Sequence, residues 1–245
     1  MARCSHCDSE LGEFAQFCPN CGQPVSPAPE TAEPTPSHPG QSLPLGRYIK
    51  DGWELFKKYP GGFVGFFLVF ILMHFVLYHI PLVGRLAAGV ISPALIAGSF
   101  IVSAKLIQGQ TPAFRDFFAG FHFFLPLFLT GLLTAALVGI GLVLLVVPGI
   151  YLLVGYAFAS YLVVDRRLDF WQAMELSRRT VNPLWFNVFG LVLLLLLINL
   201  GGVLLLGLGL VVTVPLTTCT LTVAFTDIFG LQSSYAGPIP NLRQQ

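Results

Sequence analysis

Charge is scarce in this sequence: Asp, Glu, Lys and Arg make up 10% of its 245 residues, whereas a soluble domain contains about 25%. Hydrophobic residues make up 55%, and the mean hydropathy is +0.76. Two long runs, Phe123 to Val164 and Thr180 to Thr226, contain no charged residue at all. This scarcity excludes a soluble globular domain and places the chain in a lipid bilayer.

The first residues lack the apolar run of a secretory signal peptide, because the chain begins MARCSHCDSE. We therefore expect the first membrane span to act as its own insertion signal. The N-terminus is then expected to stay in the compartment in which it is made.

Ionisable residues are almost absent from the centres of the apolar runs. His74 lies near the middle of one run, and a single histidine is more typical of a neutral, packed side chain than of a proton relay. Lys105, Arg85 and Asp227 fall near the ends of runs, where they can reach the membrane surface. The chain offers no Ser/His/Asp or paired-carboxylate arrangement, so the sequence predicts no catalytic residue and a protein that is not an enzyme.

Cysteine is confined to five positions, and four of these lie near the N-terminus: Cys4, Cys7, Cys18 and Cys21. They form two Cys-x-x-Cys pairs, the second within CPNCG, a spacing typical of a tetrahedral thiolate site for one structural Zn²⁺. A disulfide pair would need an oxidising compartment, and a thioredoxin-like motif would need a surrounding βαβ pattern. The fifth, Cys219, lies in an apolar run and is predicted to be a small packing residue.

Residues Arg3 to Gln23, with their CxxC…CPxCG pattern, resemble the small zinc-ribbon domain at the N-terminus of many prokaryotic membrane and regulatory proteins. The resemblance implies zinc at the four cysteines. So short a segment cannot fold on apolar burial alone, and metal binding is expected to supply its folding free energy. Arg3 stands against Asp8, Glu10 and Glu13, a balance that disfavours nucleic acid as a partner and favours a protein.

Proline dominates residues 24–45, PVSPAPETAEPTPSHPGQSLPL, which contain few large apolar side chains. This composition is typical of an extended spacer with a rise of ~3.1 Å per residue. The sequence therefore divides into a zinc ribbon (1–23), a proline-rich flexible linker (24–45), a six-helix transmembrane domain (46–230) and a cytoplasmic tail (231–245).

The two uncharged runs are each long enough for two membrane spans, since one span needs about 20 apolar residues. We place their turns at Gly139 to Gly141 and around Gly207 to Gly209. A first pair of spans fits Phe63 to Ile80 and Leu86 to Ile107. The predicted fold is an all-α polytopic membrane protein with six transmembrane helices in three hairpins, preceded by a small zinc ribbon.

The three hairpins are predicted to repeat one unit. A proline falls early in the second helix of each pair: Pro93, Pro148 and Pro215. Each hairpin also follows a short stretch of mixed aromatic and charged residues, which is predicted to be a helix at the membrane interface: YIKDGWELFKKYP, TPAFRDFFAGF and DFWQAMELSRRTVNPLWF.

The predicted interfacial helices carry local signals. The first has an apolar stripe that consists of Leu45, Ile49, Trp53 and Phe56. In the second, Thr111 and Pro112 fit the N-cap and the first helical position, and in the third Asp169 and Gln172 fit a capping box.

Basic residues gather on one side of the predicted spans: Lys50, Lys57, Lys58, Lys105, Arg115, Arg166, Arg167, Arg178 and Arg179. The opposite side carries Arg85. By the positive-inside rule, both termini are predicted to lie in the cytoplasm and the protein in the inner (cytoplasmic) membrane. The cysteines would then face a reducing compartment, which agrees with zinc binding.

Residues Val146 to Gly190, VVPGIYLLVGYAFASYLVVDRRLDFWQAMELSRRTVNPLWFNVFG, resemble a six-helix bacterial membrane domain of uncharacterised type. That domain is also found ahead of membrane-bound glycerophosphodiester phosphodiesterases. The resemblance covers most of residues 47 to 230 and implies a fold but no chemistry. Only LQSSYAGPIPNLRQQ follows Gly230, so we do not expect the phosphodiesterase activity here.

Two functions are compatible with these patterns. The first is a non-enzymatic membrane protein in which the helical body contacts lipid and anchors the chain, while the zinc ribbon docks a cytoplasmic protein. The alternative is a channel or transporter for an uncharged or lipidic substrate, with proline-bent helices as the walls of a cavity. The scarcity of polar residues in the spans favours the first.

Overall fold

The N-terminal unit contains one pair of short strands. The computed structural model describes residues 2–3, 10–11, 21, 44–80, 83–204 and 209–232, and the chain divides into the units Met1–Thr35 and Pro36–Gln245. In the first unit, β1 (Ala2–Arg3) pairs antiparallel with β2 (Glu10–Leu11).

The predicted zinc ligands fall almost entirely outside the described residues. Cys4, Cys7 and Cys18 lie outside them, and Cys21 is described as a half-buried turn residue. Most of the predicted linker and tail also lie outside. The zinc site and the domain boundaries therefore stay predictions.

The second unit contains nine α helices in its described residues: α1 (Leu45–Lys58), α2 (Pro60–Tyr78), α3 (Val83–Ile107), α4 (Phe124–Leu144), α5 (Val146–Gly155), α6 (Ala159–Arg166), α7 (Phe170–Val181), α8 (Trp185–Leu204) and α9 (Leu210–Phe229). A long 3₁₀ helix (Phe114–Phe123) leads directly into α4, and a short 3₁₀ turn (Asn182–Leu184) leads into α8.

Six helical stretches are long and apolar enough to cross a membrane: Pro60–Tyr78, Val83–Ile107, Phe114–Leu144, Val146–Arg166, Phe170–Leu204 and Leu210–Phe229. Consecutive helices pack as pairs, α2 with α3, α4 with α5, and α8 with α9. The prediction of six helices able to span a membrane, paired as three hairpins, is confirmed. Each pair also follows a helix (α1, the long 3₁₀ helix or α7), in the order expected for a repeated unit.

The turn of the second hairpin lies beyond the predicted position. We expected it at Gly139 to Gly141, but α4 continues to Leu144, and Leu145 takes the extended conformation that separates α4 from α5. The glycine serves close packing instead, because a Cβ atom on Gly141 would lie 2.9 Å from Gly149 Cα on the facing helix. Pro148 is the third residue of α5, where a helix needs no N–H partner.

One predicted helix start and one predicted capping box differ from the structure. The long 3₁₀ helix begins at Phe114, not after Thr111, because the Asp116 carboxylate accepts a hydrogen bond from the Ala113 N–H at 2.8 Å. Asp169 does precede α7, but its side chain makes no capping hydrogen bond. A capping box needs that side-chain bond, so the predicted box with Gln172 is not formed. The Asp169 carbonyl accepts from the Ala173 N–H at 2.9 Å, as the first bond of the helix.

Small residues bring α3 against the long 3₁₀ helix. A Cβ atom on Gly98 would lie 1.6 Å from the Phe117 carbonyl oxygen, and one on Gly120 would lie 2.0 Å from the Ala94 carbonyl oxygen. Backbone atoms cannot move aside as the end of a flexible side chain can. Gly98 and Gly120 therefore allow close packing of the two helices within the protein.

This contact predicts the effect of one added methyl group. Gly98→Ala should lower the free energy of unfolding in detergent by about 1–3 kcal/mol, the usual cost of overpacking a well-packed interior. Gly89→Ala is the matched control, since Gly89 lies on the same helix and a Cβ atom there would meet nothing within 4 Å. Equal stability of the two variants would contradict the close approach.

Candidate functional site

Polar side chains inside the first hairpin bond to each other. His74 Nδ1 lies 2.9 Å from the Phe70 carbonyl oxygen on its own helix, and His74 Nε2 lies 2.9 Å from Ser92 Oγ on α3. This agrees with the prediction of a packed histidine. His74 thus joins α2 to α3.

The third hairpin has a comparable link. Asn199 Nδ2 on α8 donates to Thr217 Oγ1 on α9 at 2.7 Å and so bridges the two helices. The hydroxyls of Thr218, Thr222 and Thr226 donate instead to carbonyls of their own helix. Cys219 is fully buried, with its Sγ 3.7 Å from Ser103 Oγ on α3, and is the packing residue that the sequence predicts.

Charged residues at the ends of spans are held by specific contacts. Lys105 does not extend to the surface as expected, because its Nζ lies 2.9 Å from Asp116 Oδ2 and both side chains are largely buried. Arg166 Nη2 donates to the Phe229 carbonyl at 2.8 Å, which joins the ends of α6 and α9. Arg85 lies over the Tyr78 ring, 5.1 Å from its centroid.

A pocket of about 420 Å³ lies between α1 and the ends of α3 and α9. Its lining from α1 consists of Arg47, Tyr48, Asp51, Glu54, Leu55 and Lys58, and its lining from α3 and α9 consists of Ile107, Val223, Thr226 and Asp227. Ile107 is the last residue of α3, and α9 ends at Phe229, so the pocket lies at the boundary of the spans. We take it as the candidate functional site.

The buried face of α1 differs from the predicted stripe. Tyr48, Gly52, Leu55 and Phe56 are buried, whereas Trp53 is 40% exposed. The reason is again a glycine: a Cβ atom on Gly52 would lie 2.8 Å from Thr220 Cα. Close approach at Gly52 turns this face of α1 toward α9 and brings the lining residues of both helices together.

A tyrosine and a carboxylate meet in the pocket. The Tyr48 hydroxyl donates a hydrogen bond to Asp227 Oδ2. Burial, this hydrogen bond and the negative charge of Asp227 together raise the pKa of Tyr48 well above its usual value. Tyr48 is therefore a permanent hydrogen-bond donor at physiological pH, and it fixes α1 to α9.

The rim of the pocket is charged and exposed. Arg47 Nε lies 3.3 Å from Asp51 Oδ2, and their side chains are 70% and 42% exposed. Lys57 Nζ lies 2.8 Å from Glu54 Oε1. Exposed pairs of this kind are weak, so these side chains are free to reorient toward a ligand.

Sequence reasoning missed the pairing of Tyr48 with Asp227, although it noted Asp227. The available signal was a lone carboxylate directly after the uncharged run that ends at Thr226. Among the residues that the structure describes, no group of three or more His, Cys, Asp and Glu side chains could hold a metal ion.

The Tyr48 hydrogen bond predicts a pH-dependent stability. Tyr48→Phe should lower the free energy of unfolding by about 1–3 kcal/mol, because it leaves a partly buried carboxylate without this donor. Tyr78→Phe, at a side chain that is 66% exposed, should change little.

The sign of the pH effect follows from the raised pKa. Below the usual tyrosine pKa of 10.0, Tyr48 is protonated in the folded and the unfolded protein, and its contribution is fully present. Above that pH the unfolded protein ionises first, so the stability of the unsubstituted protein falls. The gap between it and Tyr48→Phe should therefore narrow in unfolding measurements at alkaline pH, and a constant gap would contradict the assignment.

Comparison with known proteins gives no family for this chain. No protein-family model matches it, and no solved structure matches it. Neither the zinc-ribbon resemblance nor the resemblance to the six-helix bacterial domain is supported by these comparisons. The structure itself gives the coarser result, a helical protein with six stretches able to span a membrane.

Proposed function

We propose that this is a non-enzymatic membrane protein whose helical body anchors a cytoplasmic zinc ribbon that docks a protein partner. One observation carries the proposal: hydrogen bonds from polar side chains within the described spans go to other groups of the helical body. His74 with Ser92 and Asn199 with Thr217 join neighbouring helices, and the hydroxyls of Thr218, Thr222 and Thr226 donate to the backbone of their own helix. Such a body acts as a scaffold.

The zinc ribbon is supported by spacing. The pairs Cys4/Cys7 and Cys18/Cys21 have the ligand number and separation of a tetrahedral Zn²⁺ site with four thiolates. The strands β1 and β2 flank the first pair in sequence and are joined antiparallel. The role of the metal is structural, since four protein ligands leave no open position for substrate.

The cytoplasmic location is supported by the basic residues on one side of the spans. Lys50, Lys57 and Lys58 are exposed on α1, and Arg167 and Arg179 are exposed around α7. The positive-inside rule favours the cytoplasm for this side and for both termini, as expected of a protein in the inner membrane.

The alternative, a channel or transporter for an uncharged or lipidic substrate, has less support. The pocket between α1, α3 and α9 lies at one end of the spans. It therefore suits a surface contact better than passage across the bilayer.

The zinc assignment predicts a metal content. The purified protein should contain one zinc ion per chain by elemental analysis, because the four thiolates form a single site. Cys18→Ser should lose the metal but still insert, since insertion depends on the apolar spans. Cys219→Ser makes the same chemical change at a buried packing position and should retain the zinc. Zinc retained by the Cys18 variant would contradict the site.

The docking role predicts which part of the chain holds partners. Crosslinking in native membranes, followed by mass spectrometry, should attach soluble cytoplasmic proteins to the full chain and to Cys219→Ser. Cys18→Ser, and a shortened chain that starts at Gly46, should insert but lose these proteins.

The transport alternative is tested by a transport assay on the full chain and on the shortened chain. The chain that starts at Gly46 should not move solute or lipid in proteoliposomes. Transport by this chain at the rate of the full chain would make the helical body the functional unit and overturn the docking proposal.

A further inference from the structure

The pocket between α1, α3 and α9 carries both signs of charge. Two cations, Arg47 and Lys58, and three carboxylates, Asp51, Glu54 and Asp227, belong to its lining. A simple anion would meet the carboxylates, and a simple cation would meet the basic groups. A zwitterion can place each of its charges beside groups of the opposite sign.

The charged rim can adapt to such a ligand. The Arg47 side chain is 70% exposed, and its ion pair with Asp51 is screened by water. Its guanidinium can therefore turn to a phosphate group, with which it forms two parallel hydrogen bonds. Lys58 is exposed at the end of α1 and adds a second positive charge.

The pocket also has an apolar side at the level of the membrane boundary. Leu55, Ile107 and Val223 belong to the same lining as the charges. Ile107 ends one predicted span, and Val223 lies within the last. A ligand that combines a zwitterionic head with a hydrocarbon tail matches both sides of this pocket, and phospholipids are the amphiphiles of a membrane boundary.

The lining distinguishes between kinds of ammonium group. A quaternary ammonium is recognised by open aromatic faces, whereas a primary ammonium is recognised by acceptors for its N–H groups. The aromatic residue of the lining, Tyr48, is 2% exposed, so its ring is covered. The lining instead contains carboxylates, which accept hydrogen bonds from N–H groups and therefore favour a primary ammonium. The volume of about 420 Å³ suits a small headgroup.

We propose that this pocket binds the headgroup of a phospholipid with a primary ammonium, such as phosphatidylethanolamine. The ammonium lies against Asp51, Glu54 and Asp227, the phosphate lies against Arg47 and Lys58, and the acyl chains leave along the apolar side. None of the residues in this pocket belongs to the predicted zinc ribbon. The lipid-binding proposal can therefore fail without affecting the docking proposal, and the reverse also holds.

The test uses native mass spectrometry of the full chain with an equal mixture of phosphatidylethanolamine, phosphatidylcholine and phosphatidylglycerol that share the same acyl chains. Phosphatidylethanolamine should be retained about tenfold more than either of the others. Equal retention of phosphatidylcholine would overturn the role of the N–H donors. Equal retention of phosphatidylglycerol would show anion binding alone and would also overturn the proposal.

Variants connect this binding to the pocket. The double variant Arg47→Gln, Lys58→Gln changes exposed side chains and should weaken retention of phosphatidylethanolamine without loss of folding, because these side chains hold its phosphate. Lys50→Gln removes an exposed positive charge from the same helix, outside the pocket lining, and should keep that retention. Equal lipid binding by the two variants would mean that the lipid only surrounds the protein, and the proposal would fail.

The contact of Asp227 with the ammonium can be tested by a single substitution. Asp227→Asn retains an acceptor for Tyr48 but removes the charge, and should weaken phosphatidylethanolamine binding about tenfold. If this variant does not fold, the variants of Arg47 and Lys58 still decide the outcome.

Soluble phosphoethanolamine should displace the lipid only weakly, because it lacks the acyl chains. Displacement at an equal concentration would assign the pocket to a soluble zwitterion and overturn the lipid assignment.

Discussion

The hydrocarbon of a bilayer offers no hydrogen-bond partner, and the helical body of this protein is built around that constraint. A polar side chain in a span is stable when the protein itself supplies the partner. The hydroxyls of Thr222 and Thr226 donate to backbone carbonyls one turn earlier on their own helix. Asn199 reaches Thr217 on the next helix, and therefore also joins the two. Asn199 and Thr217 are thus part of the packing that holds the third hairpin together.

The same constraint explains the use of glycine. Lipid tails are as apolar as a protein core, so the hydrophobic effect does not drive helices together within a bilayer. Helices associate there through close contact of their backbones. Gly98 allows this against the long 3₁₀ helix, Gly141 against α5, and Gly202 against Gly209 across the third turn. Gly52 does so for α1 on α9. That last contact aligns α1 and α9 so that the tyrosine–carboxylate pair can form.

Local and long-range properties explain which features the sequence could predict. Span number depends on length and hydropathy, which are local, and was predicted correctly. The turn at Leu145 was missed because Gly141 fits a turn and a close contact equally well, and the facing Gly149 decides between them. Tyr48 and Asp227 are 179 residues apart, and no sequence pattern pairs them. The cysteine spacing is local too, and its metal site stays a prediction.

The charged side chains of the described helical body lie near the ends of the spans and not at their centres, and this placement bears on both proposals. The linker is predicted to end where α1 begins, at Leu45, and α1 supplies most of the pocket lining. A lipid bound there contacts α1 and the end of α9 together, so it would stabilise α1 in its packed position. Lipid binding would then help to hold α1 against α9 at the point where the predicted linker ends.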